Sequence, residues 1–399
     1  MFKNFLLKTF LFTLLFFTFV LTIKSIYKII FTTAPDFLVL WSAAKDLFMG
    51  TNPYTDSHLI YPYFLPPFNT VFYILCIFLS YKLAQGIFVI LSLLATFSSV
   101  YFVFINIFRR GSWISFSLII SLTLLSFPTK FTFGMGQVNL ISLFLLVLTY
   151  SFYIKERFLW AGIFLSVAII SKPVLGFLII FFLFKRAWKV ILYTLPLSII
   201  ALVIPILFGG LNIYLSWLER VVIPLLNFTG REVYYNQSLT GFIFRNISNL
   251  FLAKYLTLIF SIITLGTTLL FCIKRKVNTN LQFSLFIISL LLIDTLSWQH
   301  HFVWLIFPFI VLVNYASKLK KFWFWVMLIT SYLLVSWNFK DPTYFSRFPI
   351  SLVLSNTFYG TVILFGLNVY LLIKDVKQDI NMCEKKHDRV GKTIRKYEV

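Results

Sequence analysis

Two short stretches hold the side chains best suited to chemistry in a chain dominated by Phe, Ile and Leu. They are Asp36 in TTAPDFLVLWSAAKDLFMGTNPY and the tandem pair His300 and His301 in SWQHHFVW. A carboxylate can take a proton from an attacking hydroxyl, and cations can meet charge developing on a leaving group. Candidate cations besides the histidines are Lys172, which lies between two short apolar runs, and Arg245 in YNQSLTGFIFR. Inserting an ionisable group at membrane depth costs about 2.5–3.5 kcal/mol, so such groups usually face a cavity that uses them. Amides near glycines add the complementary chemistry. Gln137 and Asn139 in FGMGQVNL, and Asn236 in YYNQSL, can hydrogen-bond the hydroxyls of a sugar. Together these residue types suit an anionic, polyhydroxylated, lipid-borne ligand.

Elimination narrows the choice of carboxylate. The chain has 13 acidic residues, many of them in the C-terminal tail, and Glu156 sits in a basic turn. Asp36, Asp46, Asp56, Glu219, Glu232, Asp294 and Asp341 are left for the face opposite the basic turns. Pro35 and Asp36 read as a helix start, followed by an apolar face of Phe37, Leu40, Trp41, Ala44 and Leu47/Phe48. A helix cap is the alternative role for Asp36. Asp294, beside the histidine pair, is the second candidate carboxylate and could orient an imidazole. Adjacent histidines on a helix point apart and no third ligand is evident, so a polar role is preferred to a metal site. The cysteines, Cys76, Cys272 and Cys383, are too scattered to imply a disulfide framework or a metal cluster.

The elements that must position these residues are membrane helices. The chain is 60% hydrophobic and 12% charged, and its apolar runs are continuous where a β-barrel would alternate. The formal charge of +22 falls in short clusters between apolar segments, which fits the positive-inside rule better than a nucleic-acid surface. These clusters are Lys3 with Lys8, Arg109 with Arg110, Lys155 with Arg157, Lys185 to Lys189, Lys274 to Lys276, Lys318 to Lys321, and the tail from Lys374. The expected fold is all-α and polytopic, with roughly 11 to 13 spans. It comprises a membrane domain at 1–373, a charged cytoplasmic tail at 374–399 and an amphipathic first extracytoplasmic loop. Residues 66–107 read as two apolar segments where the charge pattern allows an odd number of crossings. The segments 158–170 and 174–184 are too short for straight spans: they read either as ordinary irregularity or as paired short helices that meet at Ser171, Lys172 and Pro173 around a cavity.

At this point the motifs resemble glycosyltransferase family 87, polyprenyl-phosphate-mannose-dependent α-mannosyltransferases of the GT-C fold. The resemblance is carried by the early "DF" at Asp36, then "GTNPY", "YPYFLPP", "GMGQVN", "KP" at Lys172, "NQSLTGFIFR" and "SWQHH", in that order. One departure is that the usual "YPP" element is here "YPYFLPP". The resemblance implies Asp36 as general base, Lys172, Arg245, His300 and His301 as donor-phosphate contacts, and Gln137, Asn139, Asn236, Tyr54 and Tyr61 as sugar or acceptor contacts. It also implies a polyprenyl-phosphate-sugar donor, a lipid-linked or glycan acceptor, and single displacement with inversion and without cofactor or metal. The expected setting is a bacterial cell membrane, with membrane lipids around the protein, no nucleic-acid partner and the site facing out. A transporter or flippase of lipid-linked sugars is the alternative, although no internal repeat is evident and the polar groups gather on one side.

Overall fold

A computed structural model describes residues 2–55, 62–108, 112–226, 230–274, 278–339 and 350–395, with the side chains of 2–8, 28, 350 and 376–395 left out. Tyr61, Asp56, Asp341, Arg109 and Arg110 lie outside the described residues. The described chain is helical, with one isolated antiparallel bridge between Asn236 and Trp298. The helices are α1 (Phe2–Phe31), α2 (Pro35–Phe48), α3 (Tyr81–Ile107), α4 (Trp113–Leu125), α5 (Phe127–Met135), α6 (Asn139–Ile154), α7 (Phe158–Ser171), α8 (Leu178–Phe184) and α9 (Trp188–Gly209). They continue as α10 (Asn212–Trp217), α11 (Ile223–Leu226), α12 (Leu239–Asn246), α13 (Leu250–Ile273), α14 (Thr279–Ile293), α15 (Ile306–Leu319), α16 (Phe322–Ser336) and α17 (Asn356–Arg395). Short 3-10 turns at Pro67–Cys76, Pro173–Phe177, Gln299–Leu305 and Ile350–Ser355 precede or join them.

Six stretches among the described residues are long and apolar enough to cross a membrane, and a seventh forms if α4 and α5, bent by 55°, count as one. Six further apolar helical stretches are shorter. The protein is therefore an all-α, multi-pass membrane protein. The expected pair of segments at 66–107 resolves unequally. Pro67–Cys76 is a ten-residue 3-10 turn, and α3 alone has spanning length. One stretch of spanning length there is compatible with the odd number of crossings expected from the basic clusters. Beyond Lys374, where a tail was expected, α17 runs on to Arg395.

Burial separates the helices by role. Helix α14 is buried along nearly its whole length, with Phe283, Leu285, Phe286, Ile287 and Leu291 fully enclosed. Helices α1, α9 and α13 show most of their apolar surface outward, the pattern of lipid-facing spans. At one end of the bundle the basic turns are tied together. Lys185 donates to Gln282 Oε1, and Gln282 Nε2 donates to the carbonyls of Phe271 and Lys274 at 2.6 and 2.8 Å. Asn278 N donates to Asp375 Oδ2 at 2.8 Å nearby. The turns carrying Asp36, Gln137, Lys172 and Asp294 meet at the other end.

Candidate active site

Asp36 is the second residue of α2, behind Pro35, whose missing N–H and fixed φ suit a first helical turn. It does not cap the helix. The cap position is Ala34, whose N–H is accepted by Tyr81 Oη and Gln85 Oε1, each at 3.1 Å. Gln85, fully buried, also donates through Nε2 to the carbonyls of Ile29 and Thr32 at 2.6 and 2.9 Å. One amide therefore joins the end of α1 to the start of α2 and sets where Asp36 stands. Below it Phe37, Leu40, Ala43, Ala44 and Leu47 are buried, so the expected amphipathic face is present and turned to the protein.

The partner of Asp36 comes from the turn after α5. Gln137 Nε2 donates to Asp36 Oδ2 at 2.7 Å, while Lys172 Nζ donates to Gln137 Oε1 at 3.4 Å. Gly136 makes this approach possible. It has φ +69°, and a β-carbon there would lie 2.6 Å from Phe37 Cβ and 2.8 Å from Ala34 Cβ. Only glycine tolerates both the left-handed backbone and that proximity. Burial raises the Asp36 carboxyl above its ordinary range, against the opposing pull of the Gln137 bond and the Lys172 ammonium.

Lys172 occupies the break between α7 and the Pro173–Phe177 turn, as the two short apolar runs implied, and is almost fully buried. Asn69 Nδ2 fixes the spot by donating to the last carbonyls of α7, Ile170 at 2.8 Å and Ser171 at 2.9 Å. At 1.5 Å per residue the 14 residues of α7 rise about 21 Å, less than a hydrocarbon core of about 30 Å. Burial lowers the Lys172 pKa to about 8, with Asp36 and Asp294 acting in the other direction.

Asp294 follows α14 and accepts from Leu296 N and Ser297 Oγ at 3.4 and 3.2 Å. Burial raises its carboxyl too, opposed by these bonds and by Lys172 and Arg231. His301 Nδ1 lies 3.9 Å from Asp294 Oδ2, and His301 stacks on Trp304 with ring centroids 5.5 Å apart. His300 packs against Phe131, and its carbonyl accepts from Thr132 Oγ1 at 3.2 Å, which ties the pair to α5. Both histidines are buried. Among the described residues no group of three or more His, Cys, Asp or Glu side chains is arranged to hold a metal ion. Asn139 opens α6 fully buried, and neither its Oδ1 nor its Nδ2 has a hydrogen-bond partner. Leaving such a group unsatisfied costs about 1–3 kcal/mol.

Three other expected residues, Arg245, Asn236 and Tyr54, are bonded to the surrounding loops. Arg245 directs its terminal nitrogens to the carbonyls of Glu232, Val233 and Asn236 and to Ser355 Oγ. Asn236 is fully buried and fully bonded, donating to Arg231 O and Thr295 O and accepting from Ser238. Tyr54 donates its hydroxyl to Leu65 O at 2.6 Å, and its ring packs on Tyr63. Asp36, Gln137, Lys172, Asp294 and His301 therefore form one connected set. The direct bonds of Arg245, Asn236 and Tyr54 belong to the loops around it.

The family model described as Glycosyltransferase family 87 matches residues 63–296, more than half of the chain. The chain belongs to glycosyltransferase family 87. Among curated proteins no sequence matches it.

As a family 87 member the protein is a membrane glycosyltransferase. The matched region contains Gln137, Asn139, Lys172, Asn236, Arg245 and Asp294, whereas Asp36 precedes it and the histidine pair follows it. In this glycosyltransferase three buried polar residues, Gln85, Asn69 and Arg231, lie outside the motifs. Gln85 lies inside an apolar helix and Asn69 behind a proline pair, where neither has a reactive neighbour in sequence. A fully buried amide in a membrane helix was the available signal, because it must find partners. Arg231 was hidden by the adjacent Glu232, which makes the pair read as solvated loop charge.

Proposed function

We propose that this glycosyltransferase moves a hexose, read as mannose from the family resemblance, from a polyprenyl-phosphate-linked donor to a hydroxyl of a lipid-linked or glycan acceptor. The setting is the extracytoplasmic side of a bacterial membrane. The observation that carries the proposal is the relay in which Gln137 bridges a half-buried carboxylate, Asp36, and a buried ammonium, Lys172. One group suits proton removal, the other suits the leaving phosphate, and the amide holds them apart so that they do not simply neutralise each other.

The acceptor hydroxyl approaches Asp36, which takes its proton as the oxygen attacks the anomeric carbon. The bond from that carbon to the phosphate oxygen breaks, and its electron pair leaves with the lipid phosphate. Lys172 and the histidine pair, all buried, meet the added charge where such interactions are strong. The attack is a single displacement and inverts the anomeric centre. A retaining route would need a second carboxylate about 5 Å from the first acting as nucleophile, and the fixed neighbours of Asp36 are an amide and an ammonium. The unsatisfied amide of Asn139 supports a ligand rich in hydroxyls.

The test is transfer from a synthetic polyprenyl-phosphate mannose by purified protein in lipid nanodiscs. Wild-type protein is expected to be active with or without EDTA, and Asp36→Asn to be inactive while still folded. Wild-type rates from Asp36→Asn would refute the general-base role.

A further inference from the structure

We propose that Arg231 is the arginine of the leaving-phosphate site, positioned beside Asp294 by the side chain of Asn236. The proposal rests on the lipid-phosphate reading above. Arg231 follows α11 in a loop but is only 4% exposed. Its Nη2 donates to Leu225 O at 2.5 Å, which orients one edge of the guanidinium. The decisive contact is made by its neighbour. Asn236 Nδ2 donates to Arg231 O at 2.9 Å and to Thr295 O at 3.0 Å, joining the backbone of Arg231 to the residue that directly follows Asp294.

Successive contacts support this clamp. Arg245 holds the carbonyls of Glu232, Val233 and Asn236, and Ser238 Oγ donates to Asn236 Oδ1 at 2.9 Å. Gly241 completes it, because a β-carbon at that position would fall 2.3 Å from Asn236 O. The bridge between Asn236 and Trp298 adds backbone bonds, Gln237 N to Ser297 O at 2.8 Å and Gln299 N to Tyr235 O at 2.9 Å. The motif "NQSLTGFIFR" thus builds a holder, and the residue it holds lies just upstream of it.

Asp294 interacts electrostatically with both Arg231 and Lys172, and His301 Nδ1 is 3.9 Å away. Two buried cations, Lys172 and Arg231, interact with Asp294, and Asp36 acts on Lys172 as well, so the cations sit with resident carboxylate counter-ions. A sugar phosphodiester carries one negative charge, and the lipid phosphate released from it takes up a second. A guanidinium offers a planar fork that bonds two phosphate oxygens at once, which an ammonium cannot do. In this arrangement Asp294 competes with the phosphate for Arg231.

The experiment uses full-length protein in nanodiscs, with undecaprenyl phosphate and undecaprenol as probes whose affinities are compared. The wild type is expected to prefer the phosphate. Arg231→Gln is expected to lose that preference by about tenfold or more, with undecaprenol binding unchanged, and Arg231→Lys to recover part of it. Asp294→Asn is expected to bind undecaprenyl phosphate more tightly, since the competing carboxylate is gone, whereas a purely structural role for Asp294 would weaken binding. A full phosphate preference in Arg231→Gln, or weaker binding in Asp294→Asn, overturns the assignment of Arg231 and leaves the lipid-phosphate reading standing. No phosphate preference in the wild type overturns that reading itself. If Arg231→Gln does not fold, Arg231→Lys and Asp294→Asn decide by the same comparison.

Discussion

Gln137 donates to Asp36 at 2.7 Å, and its other amide atom faces Lys172, so one neutral side chain separates the strongest base candidate from the buried ammonium. An amide can donate to a carboxylate and accept from an ammonium without changing its own charge. Replacing it by Leu keeps the volume and removes both bonds. A hydrogen bond to a charged group contributes about 1.5–3 kcal/mol, so Gln137→Leu is expected to lower kcat by roughly 10- to 100-fold. The acid limb of the pH profile should also move up, because the bond that eases Asp36 ionisation is lost. Unchanged kcat and an unmoved acid limb would count against the relay.

Asp36→Asn should affect activity and stability in opposite directions. Loss of a general base costs about 10²- to 10⁴-fold in rate. The folded state holds the Asp36 pKa above its ordinary value, so folding favours the protonated carboxyl. Any stability it contributes is present in acid and is lost as pH rises through the folded pKa. The variant is therefore expected to melt at a higher temperature than wild type at pH 7. The gap should close towards pH 4, as measured by the apparent Tm of the purified protein across that range.

Lys172 is expected to set the alkaline limb. Its pKa lies at about 8 in the free protein, and deprotonation removes the positive charge offered to the donor. A fall in kcat/KM above about pH 8 is expected, because kcat/KM reports groups of the free enzyme. Lys172→Arg, which stays charged, should shift that limb to higher pH even if its rate is lower. An identical alkaline limb in the variant would assign the limb to another group.

Gly136→Ala is expected to damage both fold and site. The substitution adds a methyl group 2.6 Å from Phe37 Cβ and imposes a side chain on a φ of +69°. Overpacking alone costs about 1–3 kcal/mol, and relief requires α2 and α5 to part. A lower apparent Tm and a longer separation between Asp36 and Gln137 should follow, the second detectable as an acid limb shifted as in Gln137→Leu. Gly134→Ala is the control, because a β-carbon there meets nothing within 4 Å.

Sequence alone determined the class of this protein and singled out the residue types proposed for its chemistry. Continuous apolar runs can satisfy their backbone groups in lipid only as helices, and basic turns sort their ends, so polytopic helical architecture followed from composition and order. Asp36 and Lys172 were legible because charge at membrane depth is costly and sparse. The short runs around Lys172 were legible from length.

Tertiary structure decided which of those residues meet and which polar groups hold the loops. Arg245 and Asn236 sit in a motif that reads as a binding site, and each also ties loop carbonyls together. A guanidinium or an amide satisfies a buried loop as readily as a ligand, and sequence carries no direction for either. The contact between Asp36 and Gln137 spans 101 positions of chain and depends on the absence of a side chain at Gly136. The ten-residue turn at Pro67–Cys76 and the tie from the Arg231 backbone to Thr295 through Asn236 are likewise products of packing between distant segments. Local periodicity cannot encode such pairings, because they are set by the close approach of helices that are neighbours in space and strangers in sequence.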